Sequence, residues 1–144
     1  MTPAKTMADA QDDNTGTGKM DRDAVMATLK AFGKAFNTAD ADGVLAQVTD
    51  DFEWRLHEGP DAPDGAIVSG RDAVRAALTA RAEKIETLRF SETEVLFGED
   101  HVLGRFRAVG AYRDGRKIDV RGIDVYRFVD GKIREKDSYW KAVG

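Results

Sequence analysis

Few residues of this chain are placed to do acid–base chemistry. Between positions 117 and 129, Ile118, Val120, Gly122, Asp124, Tyr126 and Phe128 fall on alternate positions, so a strand here makes Asp124 the one acid in an otherwise apolar row. Burial turns a carboxyl group into a neutral hydrogen-bond donor or general acid, unless a cation or hydrogen bonds hold it charged. Lys136 is a candidate for that cation, because Arg134, Lys136, Ser138 and Trp140 share parity on the next segment. Both forms of Asp124 stay open at this point. Ser138 has no partnered base and reads as a small polar contact or a packing residue. His57 titrates near neutrality and ends an alternating segment beside Glu58, with parity opposite to Trp54. It is a general base at a pocket mouth if that strand bends, and a surface histidine otherwise. Phe32, Phe36, Trp54, Leu56, Phe106, Tyr126 and Trp140 can form the wall of a site for an apolar or ring-containing ligand, or simply a core.

Composition removes other chemistries. The 144 residues include no cysteine and only two histidines, which leaves no thiol nucleophile, disulfide or thiolate metal site, and nothing in the sequence calls for a cofactor. With 22 Lys+Arg against 26 Asp+Glu, the net charge of −4 argues against a nucleic-acid partner, whose phosphates are met by clustered cations. No run approaches the ~18 apolar residues of a membrane span, and the start lacks the apolar core of a secretory signal. A cytoplasmic protein is the expectation.

The elements that must hold these residues follow from spacing. Residues 1–20 lack periodic apolar residues and are expected to be a disordered tail, with one domain over 21–144. Val25, Met26, Leu29, Phe32 and Phe36 recur at helical spacing after Asp21, a suitable N-cap. A brief second helix carries Val44, Leu45 and Val48. Phe52, Trp54 and Leu56 alternate with Glu53, Arg55 and His57, which predicts a strand over 51–57. The Gly/Pro-rich stretch 58–70 predicts a loop with at most a short pairing at Ile67 and Val68. A third helix, capped at Ser69 or Gly70, turns Ala73, Val74, Ala77, Leu78 and Ala82 inward. Four strands, about 87–97, 101–113, 117–129 and 132–142, are separated by Gly98, Asp114-Gly115 and Asp130-Gly131, which suit hairpins. Helices early and strands late predict an α+β fold in which a strongly bent antiparallel sheet wraps around about three helices. Gly104, Ala108 and Gly110 are expected to leave room in the concave face.

The string GRKIDVRGIDVYRFVDGKIREKDSYWK resembles the C-terminal half of ketosteroid isomerases and of the wider NTF2-like, SnoaL-like superfamily, and FNTADADGVLAQVTDDFEW resembles the superfamily's entry into its first strand. The resemblance covers about 22–142 and implies an NTF2-like cone. It places Asp124 at the isomerases' oxyanion aspartic acid and Trp140 at a pocket aromatic. The isomerases' tyrosine falls on Phe32 and their base on Leu56. The functional Asp of epoxide hydrolases and SnoaL-type cyclases falls on Ser138. The expected function is therefore binding of a small, mostly apolar molecule, with isomerase, lyase or hydrolase chemistry in which Asp124 is acid or oxyanion donor and His57 or Lys136 its proton partner. The alternatives are a non-catalytic binding or sequestering module, or an interaction domain. The opposite sheet face, with Arg105, Arg107, Arg121, Ile123, Val125 and Arg127, suits a homodimer interface.

Overall fold

Asp21 opens the first helix, α1 (Arg22–Asn37): its side chain accepts the Ala24 N–H at 3.1 Å, and Asp23 lies at the positive end of the helix dipole. The computed structural model describes residues 20–143. Of the expected tail, residues 1–19 lie outside the described residues. Helix α1 buries Val25, Phe32 and Ala35, whereas Met26, expected inside, remains 43% exposed at the rim of a cavity. Asp40 caps the short α2 (Ala41–Leu45) by accepting the Gly43 N–H at 3.0 Å.

Strand β1 (Val48–Asp61) runs past the expected end at 57 and pairs antiparallel with β2 (Gly65–Ser69), placing Trp54 opposite Val68 and Leu56 opposite Ala66. The expected 58–70 loop is thus largely a hairpin. Its register shifts between Leu56 and Asp61, and Gly59 and Gly65 supply positive φ there. Helix α3 (Arg71–Lys84) follows Gly70 and turns Val74, Ala77 and Leu78 inward. Ala73 and Ala82, expected on that face, are exposed, because the inward spacing is i, i+3, i+4, i+7 from Val74.

Strands β3 (Ile85–Phe97), β4 (Val102–Tyr112), β5 (Lys117–Val129) and β6 (Lys132–Trp140) form the expected antiparallel meander. The sheet order is β2-β1-β6-β5-β4-β3, and β1 pairs with β6 in parallel. The sheet is therefore mixed, not wholly antiparallel. A parallel pair needs a long connection, and here everything from β2 to β5 supplies it. On the core side of the sheet, Phe52 and Ile133 pack with Phe32, Val44 and Val74 from the helices.

Two local features depart from simple alternation. Arg127 pairs with Glu135 but Phe128 with Ile133, so β6 carries one extra residue, Arg134. Ile133 then points inward and Arg134 reaches Asp51 at 3.1 Å, which breaks the expected parity of Arg134 with Lys136. Gly110 does not leave cavity space either: a Cβ there would lie 1.9 Å from the Thr87 carbonyl oxygen. Gly110→Ala is expected to cost about 3 kcal/mol by overpacking β4 against β3, read as a lower urea midpoint. An unchanged midpoint would mean that the two strands separate freely.

The outer sheet face carries more acids than expected. Arg105 pairs with Glu94 at 3.3 Å, Arg107 with Asp119 at 2.8 Å and Arg121 with Glu92 at 3.3 Å, around the partly exposed Val109 and Ile123. Among the described residues no helix is long and apolar enough to cross a membrane.

Candidate functional site

Strand register builds the polar cluster directly. Asp124 lies across from Ser138 and Tyr126 across from Lys136 on β5 and β6, and all four side chains point to the concave face. The Ser138 hydroxyl donates to Asp124 Oδ1 at 2.7 Å, and the Tyr126 hydroxyl donates to Oδ2 at 3.2 Å. Lys136 Nζ is the centre of a second pair of bonds, donating to Asp124 Oδ1 at 3.2 Å and to Ser138 Oγ at 2.9 Å. Asp124 and Lys136 are each only 5% exposed, so this is a buried ion pair with its hydrogen bonds largely made within the cluster.

This geometry gives each group a role. Asp124 receives three donors and gives none, so it stands as a hydrogen-bond acceptor and charge partner; the donors of the cluster are Lys136, Tyr126 and Ser138. Burial lowers the Lys136 pKa below its ordinary 10.5, opposed by the Asp124 charge and reinforced by Arg81. Burial, with the neighbouring Asp124 carboxylate, pushes the Tyr126 hydroxyl well above its ordinary 10.0. Tyr126 is therefore a proton holder at neutral pH.

The cluster sits at the wall of a cavity of about 710 Å³ between α1 and strands β3 to β6. Asp124, Tyr126 and Lys136 line it, together with Phe32 and Phe36 from α1 and Phe106 from β4. Phe90 closes the far side, its ring 5.1 Å from Phe106 and 6.3 Å from Phe36. Gly104 lies opposite Asp124 across β4 and also lines the cavity, so no side chain at that position covers the carboxylate. Asn37 fixes the C-terminal end of α1 to β3: its amide accepts the Phe90 N–H at 2.9 Å and donates to the Phe90 carbonyl at 3.3 Å.

The other residues singled out in the sequence stand apart from this cavity. Ser138 belongs to the cluster but does not line the space. Trp54 is buried in the core, edge-on to Phe36 at 5.6 Å, and its Nε1 has no partner. Leu56 packs against the core. His57 and Trp140 stack face to face at 3.7 Å with a 6° interplanar angle, brought together by the register shift in β1. His57 thus bends in as one alternative required, but toward Trp140. Phe90, Thr93 and Val95 on β3, and Gly33 on α1, were missed as lining residues. Arg81 was missed as well: its guanidinium lies within 5.4 to 5.7 Å of the Phe36, Trp54 and Phe90 rings. Among the described residues no group of three His, Asp or Glu side chains is placed to hold a metal ion.

His57 gives a pH test of this arrangement. Burial lowers its pKa below the ordinary 6.5, with Arg81 and Lys136 acting the same way against the carboxylate of Glu58. The unfolded chain then takes up a proton before the folded one does, so this contribution to stability is complete above about pH 6.5 and is lost as pH falls. His57→Phe, which keeps the stacking and cannot titrate, is expected to flatten the decline in urea midpoint between pH 7 and 5. Parallel curves for the two proteins would show that His57 is not held neutral by the fold.

An α+β cone with a mixed six-stranded sheet and three helices is the architecture of NTF2-like proteins. The SnoaL-like domain model matches residues 29–136, and the chain belongs to that family. No curated protein matches the sequence. Among solved structures, a provisionally named polyketide cyclase from Xanthomonas campestris pv. campestris is similar at 21% identity and a TM-score of 0.73, over 83% of this chain and 92% of that one. A provisionally named isomerase from Bacillus subtilis is similar at 20% identity and 0.73, over 85% and 90%. An NTF2-like protein from Mesorhizobium loti is similar at 26% identity and 0.66, over 86% and 97%.

Proposed function

We propose that this chain binds a small, mostly apolar, ring-containing molecule in the cavity beneath α1, with an oxygen of that molecule at Lys136 and Tyr126, and moves a proton on it through the Asp124–Lys136 pair. The observation that carries the reading is a buried charged pair at the wall of a cavity lined mainly by aromatic and aliphatic side chains, with Lys30, Lys34, Asn37 and Thr93 as its other polar residues. A carbonyl or enol oxygen placed there meets the third N–H of Lys136, and the Tyr126 hydroxyl as a second donor when its proton turns from Asp124 to the ligand, while the Asp124 carboxylate is the acceptor for a proton from the adjacent carbon. Polyketide cyclisation and isomerisation, the activities named for two relatives of the same fold, both commonly begin with proton removal beside a carbonyl. The second reading, a non-catalytic binding module, is favoured by Phe32 and Leu56, which stand where the isomerase resemblance puts the tyrosine and the base.

Proton exchange separates the two. With 2-tetralone in deuterated buffer, proton NMR is expected to show loss of the signals beside the carbonyl faster than in buffer alone, and Asp124→Asn is expected to remove that excess while tetralone still binds. Binding without accelerated exchange would leave the sequestering reading.

A further inference from the structure

A second cavity, also about 710 Å³, lies between α1, α3 and β3 on the other side of Phe36 and Asn37, and Arg81 lines it. We propose that this cavity is a separate binding site for a small ring-containing carboxylate, anchored on the Arg81 guanidinium.

The first support is that, among the described residues, Arg81 has no carboxylate within ion-pair distance; those of Asp124 and Glu58 act on it only through space. Arg55, Arg71, Arg75, Arg105, Arg107 and Arg121 each reach a carboxylate. Among the described residues Arg81 makes no ion pair and gives no hydrogen bond to protein. What surrounds it instead is the set of Phe36, Trp54 and Phe90 rings, each within the ~6 Å over which a ring face attracts a cation. Rings interact with the faces of a guanidinium; they leave its five N–H donors, which lie in the plane, without acceptors.

The second support is access. Among the described residues, the fully buried side-chain nitrogens without a partner are Trp54 Nε1 and Arg55 Nε, and the Arg81 nitrogens are not among them. Arg81 forms part of the wall of this second cavity. Burial pulls the guanidinium down to about 10, so it is still a cation at neutral pH and has lost hydration that a ligand anion would replace. A planar carboxylate matches the fork of donors in a bidentate way. The apolar body of the ligand meets Val44, Leu78, Ile85 and Leu88. The remaining charges at the cavity are Asp40, Glu86, Arg89 and Arg113; Asp40 is engaged in capping α2, which leaves the balance in favour of an anion.

Arg81 does not line the cavity beneath α1 but its charge acts on Lys136 there, and Gly33 does not line this cavity, so Gly33→Leu is the substitution that separates the two sites. The experiment titrates 1-naphthoate and its neutral analogue 1-naphthamide into the native protein, Arg81→Gln, Arg81→Lys and Gly33→Leu, with thermal melting to establish that each variant is folded. The native protein and Gly33→Leu are expected to prefer the carboxylate by about tenfold, as a charge-assisted bidentate contact provides. Arg81→Gln is expected to lose the preference and Arg81→Lys to keep part of it. On the unsubstituted protein, naphthoate is expected to shift the Arg81 Nε–H resonance, which needs no variant to fold. The proposal is overturned if naphthoate and naphthamide bind alike, if Arg81→Gln keeps the preference, or if Gly33→Leu removes it and so places the anion beneath α1.

Discussion

Asp124→Leu is expected to lower folding stability by about 3–5 kcal/mol, the range for removing one partner of a buried ion pair. The reason is Lys136, which is 5% exposed and would lose the carboxylate it is paired with, while Ser138 and Tyr126 lose the acceptor of their hydroxyl groups. Lys136→Met is expected to fall in the same range from the opposite side, by stranding the carboxylate. The double variant should recover part of the loss, because a pair replaced whole by apolar groups of similar size leaves no unmatched charge, and the coupling should reach about 2 kcal/mol. Urea midpoints at constant slope measure all four corners of the cycle. Additive single losses would mean that the two charges do not depend on each other.

The same variant carries a pH signature. Burial already lowers the Lys136 pKa, and removing Asp124 takes away the contact that raises it. In Asp124→Leu the folded chain therefore releases the lysine proton before the unfolded chain does, so stability rises with pH up to the unfolded value near 10.4. The gap between variant and native protein is expected to narrow from pH 7 to pH 10.

Gly33→Leu is expected to abolish binding beneath α1 without harming the fold. Gly33 is a helical residue on the cavity wall, and a Cβ there would meet no atom within 4 Å. Leucine forms helix better than glycine by about 0.5–1 kcal/mol, so the melting temperature should hold or rise. The added side chain takes up space between α1 and the aromatic wall, and affinity for a ring ligand such as 2-naphthol should drop by at least about tenfold, roughly the 1.4 kcal/mol of one lost close contact set. Titration followed by tryptophan fluorescence reads both proteins. Equal affinities would show that the ligand lies elsewhere, a result that folding defects could not explain.

Much of this site was legible in the sequence because period-2 alternation survives where strands are regular. From Ile118 to Phe128 every inward residue was identified, and Asp124 stood out as the sole acid among them. The neutral-donor reading of Asp124 was left open because the cross-strand register that brings Lys136, Ser138 and Tyr126 onto it is a property of pairing, not of either strand alone. Bulges hid other residues. One extra residue in β6 turns Arg134 outward, and the irregular end of β1 swings His57 onto Trp140. The parallel pairing of β1 with β6 leaves no local mark, since alternation looks the same for either direction. Arg81 did leave one: with Val74, Ala77 and Leu78 it completes the i, i+3, i+4, i+7 face of α3, but a charged residue near a helix end reads by default as solvated.

The measurement that bears most directly on the central claim is a crystal structure of the protein soaked with 2-naphthol. The ring is expected between Phe32, Phe36 and Phe106, with its oxygen within hydrogen-bond distance, about 2.6–3.2 Å, of Lys136 Nζ or the Tyr126 hydroxyl. Density for the ligand at another surface, or a ring bound beneath α1 with its oxygen turned away from the Asp124 cluster, would contradict the account.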